Sequence, residues 1–168
     1  RWPKVARLDF HAAHFDGIQS QITIQANEDP RFELNNECCV ELWLKLDQDR
    51  RSQPAFIPLI SRQVCLDDQV APQFVLEVGN YSNGDMSLRF RYSDDTLECK
   101  TVECFNTKGS SASPQLVFGK WMHIAVSISA GGGLAMYVNG QQFSVAQAQS
   151  PRLISMMAVM EIGSKGLF

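Results

Sequence analysis

The 168-residue sequence lacks a dominant charge: 15 Lys and Arg stand against 18 Asp and Glu, a net of −3. Without a basic field there is no drive to release counterions from a phosphate backbone, which excludes charge-driven nucleic-acid binding. No apolar run approaches the roughly 18–20 residues that cross a bilayer, and the mean hydropathy is −0.14. No C-x-x-C pair or histidine cluster occurs, so a structural zinc site has no ligands. Helical spacing of apolar residues is absent, as are internal repeats and linkers. What is present is a chain with 45% hydrophobic and 20% charged residues. That excludes disorder and suffices for one cored domain, but not comfortably for two. The chain opens at Arg1 without a methionine or a signal-like stretch and stops at Phe168 in mid-pattern. It therefore reads as a single domain, residues 1–168, of a longer protein.

Cysteine gives a second exclusion. The five cysteines are Cys38, Cys39, Cys65, Cys99 and Cys104, and an odd number cannot all pair within the chain. Cys38 and Cys39 are adjacent in an extended segment, so their side chains point to opposite faces. Cys99 and Cys104 are close enough in sequence to close a short disulfide loop; buried free thiols are the competing reading. The compartment, cell surface or cytoplasmic scaffold, stays open. Asn80-Tyr81-Ser82 matches the glycosylation triplet, which decides nothing alone.

The apolar period is two. Phe74, Leu76 and Val78 alternate with Val75 and Glu77. After turn-forming residues at 79–85, Met86, Leu88, Phe90 and Tyr92 alternate with Ser87, Arg89 and Arg91. This predicts an antiparallel hairpin whose second strand has one buried and one wet, basic face. Met122, Ile124, Val126 and Ile128 share a face opposite Trp121, His123, Ala125 and Ser127. Strands at 134–138 and 141–145 follow, joined by Asn139-Gly140, whose torsions suit a two-residue hairpin. Cys38, Val40, Leu42, Leu44 and Leu46 oppose Cys39, Glu41, Trp43 and Lys45. Short strands are expected at Ile22 and Ile24, and at Leu59 and Ile60 after Pro54 and Pro58. Leu153 to Met160 fits one helical turn, but Ile162-Gly163 ending the segment suggests a strand, and 105–114 reads as a polar loop. Many short strands with regular turns predict an all-β, antiparallel two-sheet jelly-roll sandwich.

Several segments then line up in order. His14-Phe15-Asp16-Gly17 precedes Ile22-Thr23-Ile24; Val40-Glu41-Leu42-Trp43-Leu44-Lys45 and Leu59-Ile60-Ser61-Arg62 follow. Gly119-Lys120-Trp121-Met122-His123-Ile124-Ala125-Val126, Met136-Tyr137-Val138-Asn139-Gly140 and Glu161-Ile162-Gly163 complete the series. In this order they resemble the laminin G-like, concanavalin A-like lectin and glucanase jelly rolls over residues 8–168. The resemblance implies face-to-face sheets with a concave side and a role in binding glycans or proteins. It also implies a closing strand after the final Ile-Gly, so a sandwich lacking that strand should present an exposed edge. Trp43 and Trp121 are expected to pack into the sandwich by their apolar bodies.

The same fold hosts glycosidases with E-x-D-x-x-E on one strand, a spacing that puts alternate carboxylates on one face. No strand here carries it: Glu77 stands alone and Glu41 has no acidic partner two residues away. There is no G-x-S-x-G, and His11, His14 and His123 have no nucleophile beside them. No catalytic residue is assigned, and the domain does not read as an enzyme. The resemblance implies a rim calcium in some relatives. The oxygen-bearing candidates are Asn80, Asn83 and Asp85, with Asp67-Asp68 and Asp94-Asp95 as further acidic turns; turn chemistry alone explains the same residues. Arg89, Arg91 and Tyr92 are the candidate ligand residues, the two arginines lining a groove for an acidic group or forming a solvated face. Tyr92, Tyr137 and Trp43 are the aromatics suited to a sugar. The expected function is a non-catalytic module binding a glycan or protein through rim loops or a concave face. The alternative is an interaction domain inside a multidomain assembly.

Overall fold

The computed structural model describes residues 12–15, 20–25, 37–46, 56–66, 69–80, 86–93, 99–105, 116–129, 133–147 and 158–163. Among these residues the secondary structure is strand and turn, with no helix. The strands are β1 (Ile22–Gln25), β2 (Cys38–Lys45), β3 (Phe56–Leu66), β4 (Gln69–Asn80), β5 (Met86–Ser93), β6 (Cys99–Phe105), β7 (Trp121–Ile128), β8 (Gly133–Val138), β9 (Gln141–Gln147) and β10 (Ala158–Ile162). They form a six-stranded sheet, β1-β10-β3-β4-β5-β6, and a four-stranded sheet, β2-β7-β8-β9. All pairings are antiparallel. The expected all-β two-sheet sandwich is therefore the observed architecture. β1 and β2 hold edge positions in their sheets.

The core lies between the sheets. Phe74, Leu76 and Val78 from β4 and Leu88, Phe90 and Tyr92 from β5 face Val40, Met122, Ile124, Val126, Ile128, Leu134, Met136 and Val138. Each such side chain contributes about 1.5–3 kcal/mol by leaving water. The Phe74 and Phe90 rings stack with centroids 5.8 Å apart, and Phe90 lies 6.1 Å from Tyr92. Tyr92 is 2% exposed and belongs to this core. It does not share a site with Arg89 and Arg91, because alternation sends it to the opposite face.

The Asn139-Gly140 turn has the expected left-handed torsions, φ 52° and 76°. Asn139 also ties the hairpin to its neighbour. Its backbone N–H donates to the His123 carbonyl at 2.7 Å, and its side-chain oxygen accepts from the His123 N–H at 2.9 Å. The first and last motifs of the sequence meet as well. Gly163 has φ 68°, donates to the Leu59 carbonyl at 3.0 Å, and sits so close to Phe15 that a Cβ would enter the ring.

Three expectations need correction. β3 begins before Pro58, although the expected strand at Leu59 and Ile60 follows that proline, and β4 includes Pro72. The ladder shifts register between Pro58 and Ile60 and between Arg62 and Gln63, the latter opposite Pro72. Irregular pairing absorbs a residue with no N–H to give. The Cys99–Cys104 bridge is excluded, because both residues belong to the single strand β6. Five extended residues separate their Cα atoms by about 16 Å, whereas a disulfide requires less than about 7 Å. Finally, the outward side of β4 and β5 is not wet. Gln73, Val75 and Ser87 are each 0% exposed, and Glu77 is 2% exposed. Both strands are interior, flanked on each side in the sheet. The turns at Asp16-Gly17, Asp67-Asp68, 81–85 and Asp94-Asp95, the loop after Phe105 and His11 lie outside the described residues.

Two outcomes follow. Gly163→Ala should destabilise the fold by roughly 2–4 kcal/mol in urea unfolding, from left-handed strain plus overpacking against Phe15; an unchanged midpoint would contradict the contact. Burial, then the neighbouring Cys39, pushes the Cys38 thiol up from 9.0 to about 11 against the opposing pull of Arg62. Cys39 is raised by burial and then by Glu41, but is the exposed one of the pair. A raised folded-state value favours the folded thiol below pH 9, and that contribution is lost as pH rises towards 11. Iodoacetamide at pH 8 should therefore modify Cys39 ahead of Cys38, with Cys38 accelerating towards pH 11; mass spectrometry of a pH series reads the order.

Candidate functional site

Two groups of chemistry-bearing side chains stand out, one on the outward face of each sheet. On the six-stranded sheet, the β4–β5 register places Glu77 directly across from Arg89 and one diagonal step from Arg91. The Arg89 Nε donates to Glu77 Oε2 at 2.7 Å. Arg91 grips the same carboxylate with Nε to Oε2 at 3.0 Å and a terminal nitrogen to Oε1 at 2.8 Å. The arginine side chains are 23% and 19% exposed, against 2% for Glu77. A carboxylate this deep is tolerable because charged donors occupy both its oxygens. The Arg89 guanidinium carbon also lies 3.5 Å above the Phe56 ring centroid, a stacked cation–π contact. Beyond it, Glu103 pairs across from Arg89 and accepts from the Ser87 hydroxyl at 3.1 Å. The sequence named Arg89 and Arg91 but missed Glu77 as their partner, although the hairpin register alone implies the pairing.

On the four-stranded sheet the outward residues are Glu41, Trp43 and Lys45 on β2, Trp121 and His123 on β7, and Tyr137 on β8. Register sets Trp43 opposite His123, Lys45 opposite Trp121, and Ala125 between Glu41 and Tyr137. Trp43 is 67% exposed and Trp121 53%, contrary to the expectation that both pack into the sandwich. The reason is parity: each shares its strand face with charged or polar residues, while the alternate positions Leu42, Leu44, Met122 and Ile124 fill the core. His123 supports this surface. Its ring centroid lies 5.2 Å from that of Trp43, and its Nε2 is 3.4 Å from Glu41 Oε2. Among the described residues, neither indole N–H nor the Tyr137 hydroxyl has a protein partner. Tyr137 and Trp43, named from sequence as sugar-binding aromatics, are thus brought onto one face, and Tyr92 is not.

The calcium candidates Asn83 and Asp85 lie outside the described residues, as does the Asn80 side chain. Among the described residues no three His, Cys, Asp or Glu side chains are placed to hold a metal ion. No described helix is long and apolar enough to cross a membrane.

Breaking the buried charge cluster should be costly. Glu77→Ala leaves two arginines without their shared anion and should lower stability by about 3 kcal/mol, the low end for a broken buried pair because the arginines retain some water. Trp43→Ala should cost under about 1 kcal/mol, since most of that ring is already in water. Equal losses in chemical denaturation would contradict the burial difference.

Solved structures share the sandwich. The binding domain of Botulinum neurotoxin serotype D aligns with a TM-score of 0.60 and 13% identity, over 87% of this chain and 33% of that one. The binding domain of Paraclostridial Mosquitocidal Protein 1 aligns at 0.59 and 14%, over 87% and 36%. A heptameric SAP-like pentraxin from Limulus polyphemus aligns at 0.54 and 18%, over 79% and 54%. The chain thus spans about a third to a half of the proteins whose fold it shares. Among curated proteins none matches the sequence. Residues 16–165 match the family model described as the concanavalin A-like lectin/glucanases superfamily, and to that laminin G-like family the chain belongs.

Proposed function

We propose that this domain is a non-catalytic binding module that takes a glycan on the outward face of the four-stranded sheet. The carrying observation is the pair of indoles, Trp43 and Trp121, 67% and 53% exposed on one face beside His123 and Glu41. An aromatic face carries negative charge and attracts the slightly positive C–H groups on the face of a pyranose ring. The indole N–H groups, the Tyr137 hydroxyl and the Glu41 carboxylate then offer donors and acceptors to ring hydroxyls. Small Ala125 leaves the floor between Glu41 and Tyr137 low. Neighbours of this fold include a toxin binding domain and a pentraxin, which supports a binding role over a catalytic one. The second reading, an interaction domain within a larger assembly, would use the same indoles against a protein.

A glycan array separates the two. The native domain should bind at least one glycan class, and Trp43→Ala should weaken that binding at least tenfold with little change in Tm. Since every proposed contact is a strand side chain, EDTA should leave binding unchanged. A silent array, or binding indifferent to Trp43 and Trp121, would remove the glycan reading and leave the interaction domain.

A further inference from the structure

We infer that Arg89, on the opposite sheet, presents a preformed fork for a single carboxylate, a second binding site independent of the Trp43 face. The guanidinium is fixed on two sides. Its Nε edge is held by the buried Glu77 at 2.7 Å, and one flat face rests 3.5 Å above Phe56. Gly79, which pairs with Phe56 on one side and Ser87 on the other, puts no side chain across this part of the sheet. What remains is the far edge, with two terminal amino groups. Among the described residues no acceptor meets them, and the side chain is 23% exposed. A guanidinium already immobilised loses little entropy on binding, and its planar fork matches two coplanar carboxylate oxygens.

Arg91 differs, because both its Nε and a terminal nitrogen are spent on Glu77. The cluster also shows what kind of acid fits. Arg89 and Arg91 are matched by Glu77 and by Glu103 across the ladder, so the site has no net positive charge to gather a polyanion. Recognition rests on the geometry of one fork, which favours a lone carboxylate on a larger molecule. The carboxylate of an acidic sugar and that of an acidic side chain present the same group.

The test is an NMR titration of the intact domain at constant ionic strength, following backbone amides of β3, β4 and β5 and the Phe56 ring. Sodium acetate should give a saturable shift centred on Phe56, Gly79 and Ser87 that sodium chloride does not. Methyl glucuronide should reproduce it, and methyl glucoside, which lacks the acid, should not. Arg89→Lys keeps the charge but not the fork and should weaken the acid at least tenfold; Phe56→Leu should weaken it severalfold while keeping an apolar support. Tighter binding of methyl glucuronide than of N-acetylglutamate amide assigns the carboxylate to a sugar, and the reverse to a peptide. An acetate response no different from chloride, a glucoside that titrates as well, or an unchanged Arg89→Lys overturns the site. None of these readouts involves Trp43 or Trp121, so the glycan proposal and this one fail separately.

Discussion

Strand register is the constraint on which the structure depends. In an antiparallel ladder, a slip of one residue exchanges the two faces of a strand. The β4–β5 pairing puts Phe74 against Tyr92, Leu76 against Phe90 and Val78 against Leu88. The same register places Glu77 beside Arg89 on the reverse side. A slip would carry Glu77 into the apolar core and turn Phe90 out of it, at several kcal/mol for each error. Core packing and the charged cluster are thus one specification written on alternate residues. On the other sheet, Asn139 performs the equivalent task. Its paired contacts to the His123 backbone fix the hairpin so that Met136 and Val138 face inward and Tyr137 outward.

The Glu77 cluster illustrates how weakly a buried ion pair argues for net stability. Desolvating a carboxylate costs several kcal/mol, and attraction to two guanidinium groups returns about as much. Its value lies in the asymmetry between right and wrong arrangements. In the native register the carboxylate receives three charge-assisted hydrogen bonds. In a slipped one it would have none while still removed from water. The pair therefore penalises alternatives more than it rewards the native state. The same rigidity fixes the Arg89 guanidinium, so register also determines where its open edge points.

Much of this was legible in the residues. Alternation placed β2, β4, β5, β7, β8 and β9, and Asn139-Gly140 located a turn, because period two and positive φ leave direct marks on residue choice. β6 was not legible as a strand, since Cys99-Lys100-Thr101-Val102-Glu103-Cys104 mixes apolar and charged residues without clear alternation, and its two cysteines left a short disulfide loop open beside free thiols. The start of β3 was hidden by Pro58, whose accommodation depends on a register shift that no local pattern reveals. The arginines were visible as candidates, but their burial was not. How deep an outward face lies depends on what the whole chain places around it, and one strand's periodicity carries no such information. Trp43 and Trp121 failed for the opposite reason: hydrophobicity argued for the core while parity argued for the surface, and parity decided.

That parity result bears on what the exposed indoles are for. Large apolar groups left in water invite association, and β2 is an edge strand, where the hazard is greatest. Yet Trp43 is flanked on its own face by Glu41 and Lys45, and Lys45 pairs opposite Trp121. Charges at these positions break the aromatic surface into separate rings, which disfavours a broad, dry contact with another protein because each charge would have to be desolvated. They do not obstruct a ligand of about one ring's size that brings its own hydroxyls to the charged groups. The distribution of charge around the indoles, more than the indoles themselves, favours a sugar over an extended apolar partner.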